Sequence, residues 1–184
     1  MKKQTIKRYR LGVSRSFPVT HPRKGYRTEF VCKILHSLNL SPGDGDEPYS
    51  RCSFECETSC KRMLLDPKLH TIRANYYLWV KRMAEVQAGM AVIELFYWSE
   101  KPYRSKQVVF ATLDKDSGCG VQKLTCTSSI LGLSQCTIGD SIESDFRGVL
   151  SKNDGLSLDD FKAWFKGYDL SKPMAIIQFT NFRY

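Results

Sequence analysis

Lys68, Thr71 and Arg73 form the pattern K-x-x-T-x-R, whose residue types could bind a polar ligand. On a β-strand, residues two apart face the same side, so Thr71 and Arg73 would point together. Lys68 lies three residues before Thr71 and joins them only if a turn over residues 66–69 redirects its side chain. Two cations and one hydroxyl in one cavity suit a phosphate, a carboxylate or the polar edge of a nucleobase. The alternative is an ordinary strand in which Arg73 pairs with an acid on the surface.

This arrangement requires a strand preceded by a turn, and the surrounding sequence supplies both. The Asp-Pro dipeptide at residues 66–67 favours a turn, and residues 69–73 then have an extended pattern. Apolar residues at helical spacing predict helices over residues 29–38 and 76–88, the second with Asn75 as its N-cap. The motif is therefore expected on a strand between two helices.

Further along the chain, short apolar runs predict more strands and a third helix. Ser157 and Asp160 form a capping box, which begins a helix that reaches about residue 166. Strands are predicted over residues 90–98, 107–113, 120–127, 145–150 and 174–182, the last of them central. Many short strands with about three flanking helices predict an α+β fold built on a small mixed β-barrel.

This order of elements and motifs resembles the ASCH domain family of the PUA-like superfamily. ASCH domains carry G-x-K-x-x-T-x-R just after their first helix, and here the pattern follows the helix predicted over residues 29–38. Residues 153–161, which include Asp154, resemble the acidic residue, loop and helix near the family's C-terminus, and residues 175–179 resemble its last strand. One departure is that the glycine of the family's pattern falls on Asp66.

The resemblance covers most of residues 10–184 and implies the barrel of the PUA-like/ASCH type. We therefore expect a single ASCH-like domain over residues 1–184, with a basic N-terminal arm at residues 1–10. Residues 39–63 begin with a loop rich in proline and glycine and are expected to be an insertion between the first helix and the motif.

The resemblance implies two different functions, and a third hypothesis stays open beside them. The first is an RNA- or nucleotide-binding module with Lys68, Thr71 and Arg73 in a cationic cleft. The second is an amidohydrolase acting on an N4-acylated cytidine-type nucleoside, an activity of some small bacterial ASCH-type proteins. Thr71 would then be the nucleophile, Lys68 its activator or oxyanion partner, and Asp154 a proton carrier. In those enzymes we expect a glutamate at the position of Asp154. The alternative is that Asp154 only helps to form a loop beside Gly155. The third is a structural or protein-interaction role, in which the arm and the insertion contact another protein.

The charge of the chain is uneven along its length. It carries 28 basic and 19 acidic residues, a net charge of +9, and nine of the basic residues lie within residues 1–27. Such a segment favours a polyanion through phosphate contacts and counterion release, and a solvated arm that aids solubility is the alternative. No apolar run approaches the roughly 20 residues that span a bilayer, and no apolar stretch follows the basic start. We therefore expect a cytoplasmic protein without membrane contact.

Aromatic and basic residues interleave in two further segments, a mixture that proteins use to bind single-stranded nucleic acids. One segment follows the motif, and the other is the loop of a predicted hairpin. We predict additional ligand contacts from Tyr76, Tyr103, Arg104 and Lys106. Packing of aromatic rings in the core is the alternative.

Seven cysteines at irregular spacing predict free thiols in a reducing compartment. Cys52, Cys56 and Cys60 would share one helical face, where Cys32 or His36 could complete a zinc site. Because this spacing is not a standard zinc or iron–sulfur pattern, we expect neither a metal nor a cofactor.

Overall fold

The computed structural model describes residues 6–38, 66–129, 132–139 and 146–184, which form a mixed α+β structure. Within these ranges it has four helices, one more than the sequence predicts, and none of them is long and apolar enough to cross a membrane. The predicted insertion at residues 39–63 lies outside the described residues. The elements in chain order are β1 (Lys7–Gly12), α1 (Phe30–Ser37), β2 (His70–Arg73), α2 (Tyr76–Gln87), β3 (Ala91–Trp98), β4 (Gln107–Leu113), β5 (Gly120–Ser129), β6 (Gly132–Ile138), α3 (Arg147–Asn153), α4 (Leu158–Trp164) and β7 (Met174–Gln178).

The strands form two sheets, one in the order β1-β3-β4 and one in the order β2-β7-β5-β6. β1 runs parallel to β3, with Leu11 opposite Leu95, and the other strand pairs are antiparallel. The predicted α+β class is therefore confirmed, whereas the strands described here do not close into one hydrogen-bonded barrel. β7 lies between β2 and β5, as predicted for a central strand.

β3 and β7 contribute many residues to the core, and each lies between two neighbouring strands of its sheet. All five residues of β7 are buried, and so are Ile93 and Leu95 of β3. A strand buried on both faces has a nearly continuous apolar sequence, and each such side chain contributes roughly 1.5–3 kcal/mol when buried. β2 is fixed in turn by its pairing with β7, in which Thr71 lies opposite Ile177.

Side-chain caps begin α2 and α4 as the sequence predicts. The Oδ1 of Asn75 accepts a hydrogen bond from the backbone N–H of Leu78 at 3.2 Å, and the Oγ of Ser157 accepts one from Asp160 at 3.1 Å. Each cap satisfies an N–H group that has no partner inside the helix. The helix α4 is thereby fixed just after the segment that contains Asp154.

A strand is predicted over residues 145–150, and the described part of this segment, residues 146–150, leads into α3 instead. The N–H of Leu150 donates to the carbonyl of Phe146 at 2.8 Å, and the Leu150 side chain is fully buried. In so short a segment, the spacing of the apolar residues fits either a strand or a helix. Packing against α4 favours the helix. The correction matters for the site because Asp154 follows α3 directly.

The strand β6 is not predicted by the sequence pattern. Its buried residues, Leu133, Cys136 and Ile138, do not alternate strictly, because its pairing with β5 shifts register. Cys136 lies directly opposite Cys126 on β5, and the two form a disulfide. The expectation of free thiols is therefore wrong for this pair. The cysteines of the zinc alternative at residues 52–60 lie outside the described residues.

The described part of the predicted basic arm belongs to the fold. Residues 7–10 lie in β1, where Arg8 and Arg10 pair with the buried carboxylate of Glu94 at 2.5 and 3.0 Å. Lys7 pairs with Glu85 at 2.9 Å. These cations therefore neutralise acids of the protein itself.

Gly155 should resist substitution, because its backbone has a φ of +72° and a Cβ would lie 3.1 Å from Lys33 Cδ. The left-handed conformation costs a residue with a Cβ about 1–2 kcal/mol. Gly155→Ala should therefore lower the free energy of unfolding by about that amount in chemical denaturation.

Gly148 is the matched control, since it lies in α3 and a Cβ there would meet nothing within 4 Å. Gly148→Ala should raise the free energy of unfolding by roughly 0.5–1 kcal/mol. Equal effects of the two substitutions would contradict the described conformation of the loop after α3.

Candidate functional site

The residues of the K-x-x-T-x-R pattern line one cavity of about 110 Å³ together with Asp154. Its walls come from the end of β1, the start of α1, the strand β2 and the segments on either side of α4. The structure therefore places Lys68, Thr71, Arg73 and Asp154 around a single concavity, although more than 80 residues separate the first from the last.

Lys68 reaches the cavity because the chain before β2 is bonded to two other elements. Its backbone N–H donates to the carbonyl of Lys33 in α1 at 3.2 Å, and the N–H of Leu69 donates to Asn153 at the end of α3 at 2.8 Å. Residues 66–69 do not form the predicted turn, and these two bonds instead fix the chain that carries the Lys68 side chain to the cavity. That side chain is buried, and its Nζ lies 4.1 Å from the centroid of the Phe30 ring.

The ammonium of Lys68 is held by Asp154. Its Nζ donates to the Asp154 carboxylate and, at 2.7 Å, to the backbone carbonyl of the same residue. Asp154 is itself buried, with 5% of its surface exposed. Charges are tolerated inside a protein when they are paired and hydrogen-bonded, and this pair meets both conditions.

Burial and pairing act in opposite directions on the two charges. Burial lowers the pKa of Lys68 to about 8, although the attraction of Asp154 raises it. Burial raises the pKa of the Asp154 carboxyl, although Lys68 lowers it. At neutral pH Lys68 is therefore a cation, and it loses its proton when the pH rises to about 8. Such a lysine can bind an acceptor when it is charged or act as a base when it is neutral.

Thr71 and Arg73 face the cavity together, as their two-residue spacing predicts. The Nη1 of Arg73 donates to the Thr71 hydroxyl oxygen at 2.9 Å, and its Nη2 donates to the carbonyl of Gly12 at 2.5 Å. The second bond joins β2 to the end of β1 across the two sheets. Because Thr71 accepts from Arg73, its own hydroxyl hydrogen is directed elsewhere, and a guanidinium carries more N–H donors than these bonds use.

A second polar chain, from Asn153 through Tyr184 to His70, lies next to Asp154, and the sequence pattern does not reveal it. Asn153 donates to the Tyr184 hydroxyl at 3.1 Å, and that hydroxyl lies 3.1 Å from His70 Nδ1. If Tyr184 donates to Nδ1, the proton of His70 is on Nε2. This Nε2 lies 3.9 Å from the Asp154 carboxylate and has no hydrogen-bond partner among the described residues. Burial and the charge of Lys68 lower the pKa of His70 well below its ordinary value, so His70 is neutral.

His70 itself is fully buried in β2. Its link to Tyr184 joins residues 114 positions apart, and no local pattern signals such a contact.

The other predicted ligand residues lie apart from the cavity. Tyr76, at the start of α2, lines a neighbouring groove. Tyr103, Arg104 and Lys106 are exposed on the loop between β3 and β4 and do not line the cavity.

The chain matches no family model, no curated protein and no solved structure. The resemblance to ASCH domains therefore rests on the motif and elements described above. Within the described ranges, no group of three or more His, Cys, Asp and Glu side chains could hold a metal ion.

Lys68 should titrate far below the exposed lysines. A ¹³C NMR titration of the lysine Cε signals should give Lys68 a pKa near 8, because burial lowers its pKa from the ordinary 10.5. Asp154→Asn removes the attraction that raises this pKa, so the Lys68 pKa should fall further. Asp116→Asn, which changes an exposed acid, is the control and should leave Lys68 unchanged. A Lys68 pKa close to that of the exposed lysines would contradict the buried pair.

Proposed function

We propose that the chain is a nucleotide- or RNA-binding module whose cavity holds the polar edge of one nucleobase. The observation that carries the proposal is the position of a carboxylate acceptor, Asp154, among donors from Lys68, Thr71 and Arg73 in one small cavity. Its 110 Å³ is well below the roughly 300–1,000 Å³ of sites for drug-sized ligands, so it suits one small polar group.

The donors and the acceptor match the edge of a cytosine-type base. Cytosine offers an exocyclic amino group as a donor, beside acceptors on its ring. Asp154 would accept from the amino group, and Thr71 and Arg73 would donate to the acceptors. Proteins that bind an unpaired base read this edge by hydrogen bonds and pack aromatic rings on its faces, and Phe30 and Trp164 line the cavity.

The same proposal extends to the fold. We interpret the two sheets as parts of a small PUA-like barrel, and the bond from Arg73 to the Gly12 carbonyl, which bridges the two sheets next to the cavity, supports it. In this interpretation the chain is one ASCH-like domain. A bridge of this kind would also hold the cavity in shape before a ligand enters.

Basic residues near the N-terminus would add attraction that does not depend on base sequence. Lys7 and Arg8 pair with acids, yet 64% and 70% of their side-chain surfaces remain exposed. They could therefore still approach the phosphates of RNA, in which case affinity for RNA should fall steeply as salt is added.

A cytoplasmic location remains part of the proposal, and the disulfide between Cys126 and Cys136 counts against it. Disulfides persist mainly in oxidising compartments and are rare in the cytosol.

Arg73→Lys should weaken the binding of cytidine by about tenfold or more in isothermal titration calorimetry. Lysine keeps the charge but lacks the planar guanidinium, which bonds Thr71 and Gly12 at the same time. A hydrogen bond to a charged group contributes about 1.5–3 kcal/mol. Arg104→Lys makes the same change on the exposed β3–β4 loop and should leave the affinity unchanged.

Equal effects of the two substitutions would contradict the assigned cavity. If neither cytidine nor RNA binds the protein at all, the nucleotide-binding proposal is wrong, and a protein-interaction role gains.

Hydrolysis of an N4-acylated cytidine is the second candidate, favoured by a lysine with a pKa about 8 beside a threonine and a carboxylate. Thr71 Oγ would attack the acyl carbon while its proton passes to neutral Lys68 or to Asp154, and then to the departing amine. Water would hydrolyse the resulting acyl-threonine ester to a carboxylic acid, leaving cytidine as the other product.

Thr71→Ala should abolish turnover of N4-acetylcytidine, measured by chromatography of the released cytidine, whereas Thr71→Ser should keep part of it. If neutral Lys68 is the base, the rate should rise with pH through about 8, where Lys68 loses its proton. Unchanged turnover in Thr71→Ala would remove Thr71 as the nucleophile.

A further inference from the structure

A second concavity, of about 480 Å³, opens beside the cavity and is here called the tyrosine groove. It is lined by the start of α2 and by the loop that leads from α4 to β7. Its volume lies within the range of sites that hold a whole small ligand, in contrast to the cavity. The proposed function leaves this groove without a role.

Tyrosine rings form the exposed walls of the groove. Tyr77 is 70% exposed and Tyr168 is 46% exposed, and both line it. Tyr76 lines it as well and packs edge-on against Tyr77, with 5.4 Å between the ring centroids. Exposed aromatic faces on a concave surface are the usual platform on which single-stranded nucleic acids stack their bases.

The groove and the cavity are lined by neighbouring residues. Arg73 lines the cavity, and the next residue in the chain, Ala74, lines the groove. Phe165 lines the cavity, and its ring contacts that of Tyr168 in the groove, with 5.0 Å between the centroids. Tyr168 is also close enough to Arg73 to interact with its charge. A ligand that fills both sites would therefore lie close to Arg73 and Phe165.

The charges around the groove suit a phosphate. Asp169 accepts hydrogen bonds from the backbone N–H and hydroxyl of Ser171, at 3.0 and 2.5 Å, which fixes the loop. Lys172 at the rim is 82% exposed and lies 4.0 Å from the Asp169 carboxylate, so it is held only loosely. Lys172 is thus a cation of the groove itself, and Arg73 lies in the neighbouring cavity, one residue before Ala74 of the groove.

We infer that the tyrosine groove binds the nucleotide next to the one in the cavity, within a single strand of RNA. Its base would stack on Tyr77 and Tyr168, and the phosphate that links the two nucleotides would lie near Arg73. A dinucleotide matches this arrangement because it carries one negative charge between two flat rings. The inference rests on the proposed function and adds that the ligand is a strand of at least two nucleotides.

The test compares cytidine with the dinucleotide cytidylyl-cytidine by titration calorimetry. Stacking of one base on an aromatic side chain increases affinity by about fivefold or more, so the wild-type protein should bind the dinucleotide at least that much more tightly. Tyr168→Ala and Tyr77→Ala should remove this gain while the affinity for cytidine stays the same. Tyr168→Phe keeps the ring and should keep the gain.

Tyr26→Ala is the matched control, since Tyr26 is 68% exposed and does not line the groove. It should alter neither affinity. Binding of cytidine without a gain for the dinucleotide, or a gain that survives in both Tyr168→Ala and Tyr77→Ala, would overturn the inference about the groove alone. Failure of both ligands to bind the wild-type protein would overturn the proposed function together with it.

Discussion

The buried ammonium of Lys68 is the constraint on which the rest of the site depends. An unpaired charge in a protein interior is so unfavourable that the group would lose its proton or the chain would rearrange. Asp154 prevents this by offering both its carboxylate and its backbone carbonyl to Lys68. Asp154 takes this position directly after α3, which ends at residue 153, and Gly155 with its positive φ follows it.

The same pairing gives the cavity its chemical character. Because Lys68 and Asp154 neutralise each other's charge, the cavity holds both a donor and an acceptor at fixed positions and does not present one sign of charge. A simple anion site would need only the cations. The mixed set, together with the Thr71 hydroxyl, suits a ligand edge that both donates and accepts, as a nucleobase does. The tyrosine groove lies next to this cavity in the chain, since Ala74 of the groove follows Arg73 of the cavity.

Local patterns predicted much of the framework but not its long-range contacts. The spacing of Thr71 and Arg73 fixed their common face, and Asn75 and Ser157 marked two helix starts. The joint position of Lys68 and Asp154 was expected only from the resemblance to ASCH domains, because nothing local relates them. α3 was mistaken for a strand, since six residues with mixed apolar spacing do not distinguish the two. The polar chain from His70 to Tyr184 and the disulfide at Cys126 were missed, because each depends on how the second sheet pairs.

A crystal structure of the protein with bound cytidine would test the account most directly. The account predicts that the base lies in the cavity, with its amino group on the Asp154 carboxylate and its ring acceptors near Thr71 and Arg73. It also predicts that Lys68 stays buried against Asp154. Cytidine bound elsewhere on the surface, or Lys68 and Asp154 pointing to separate regions with no concavity between them, would contradict it.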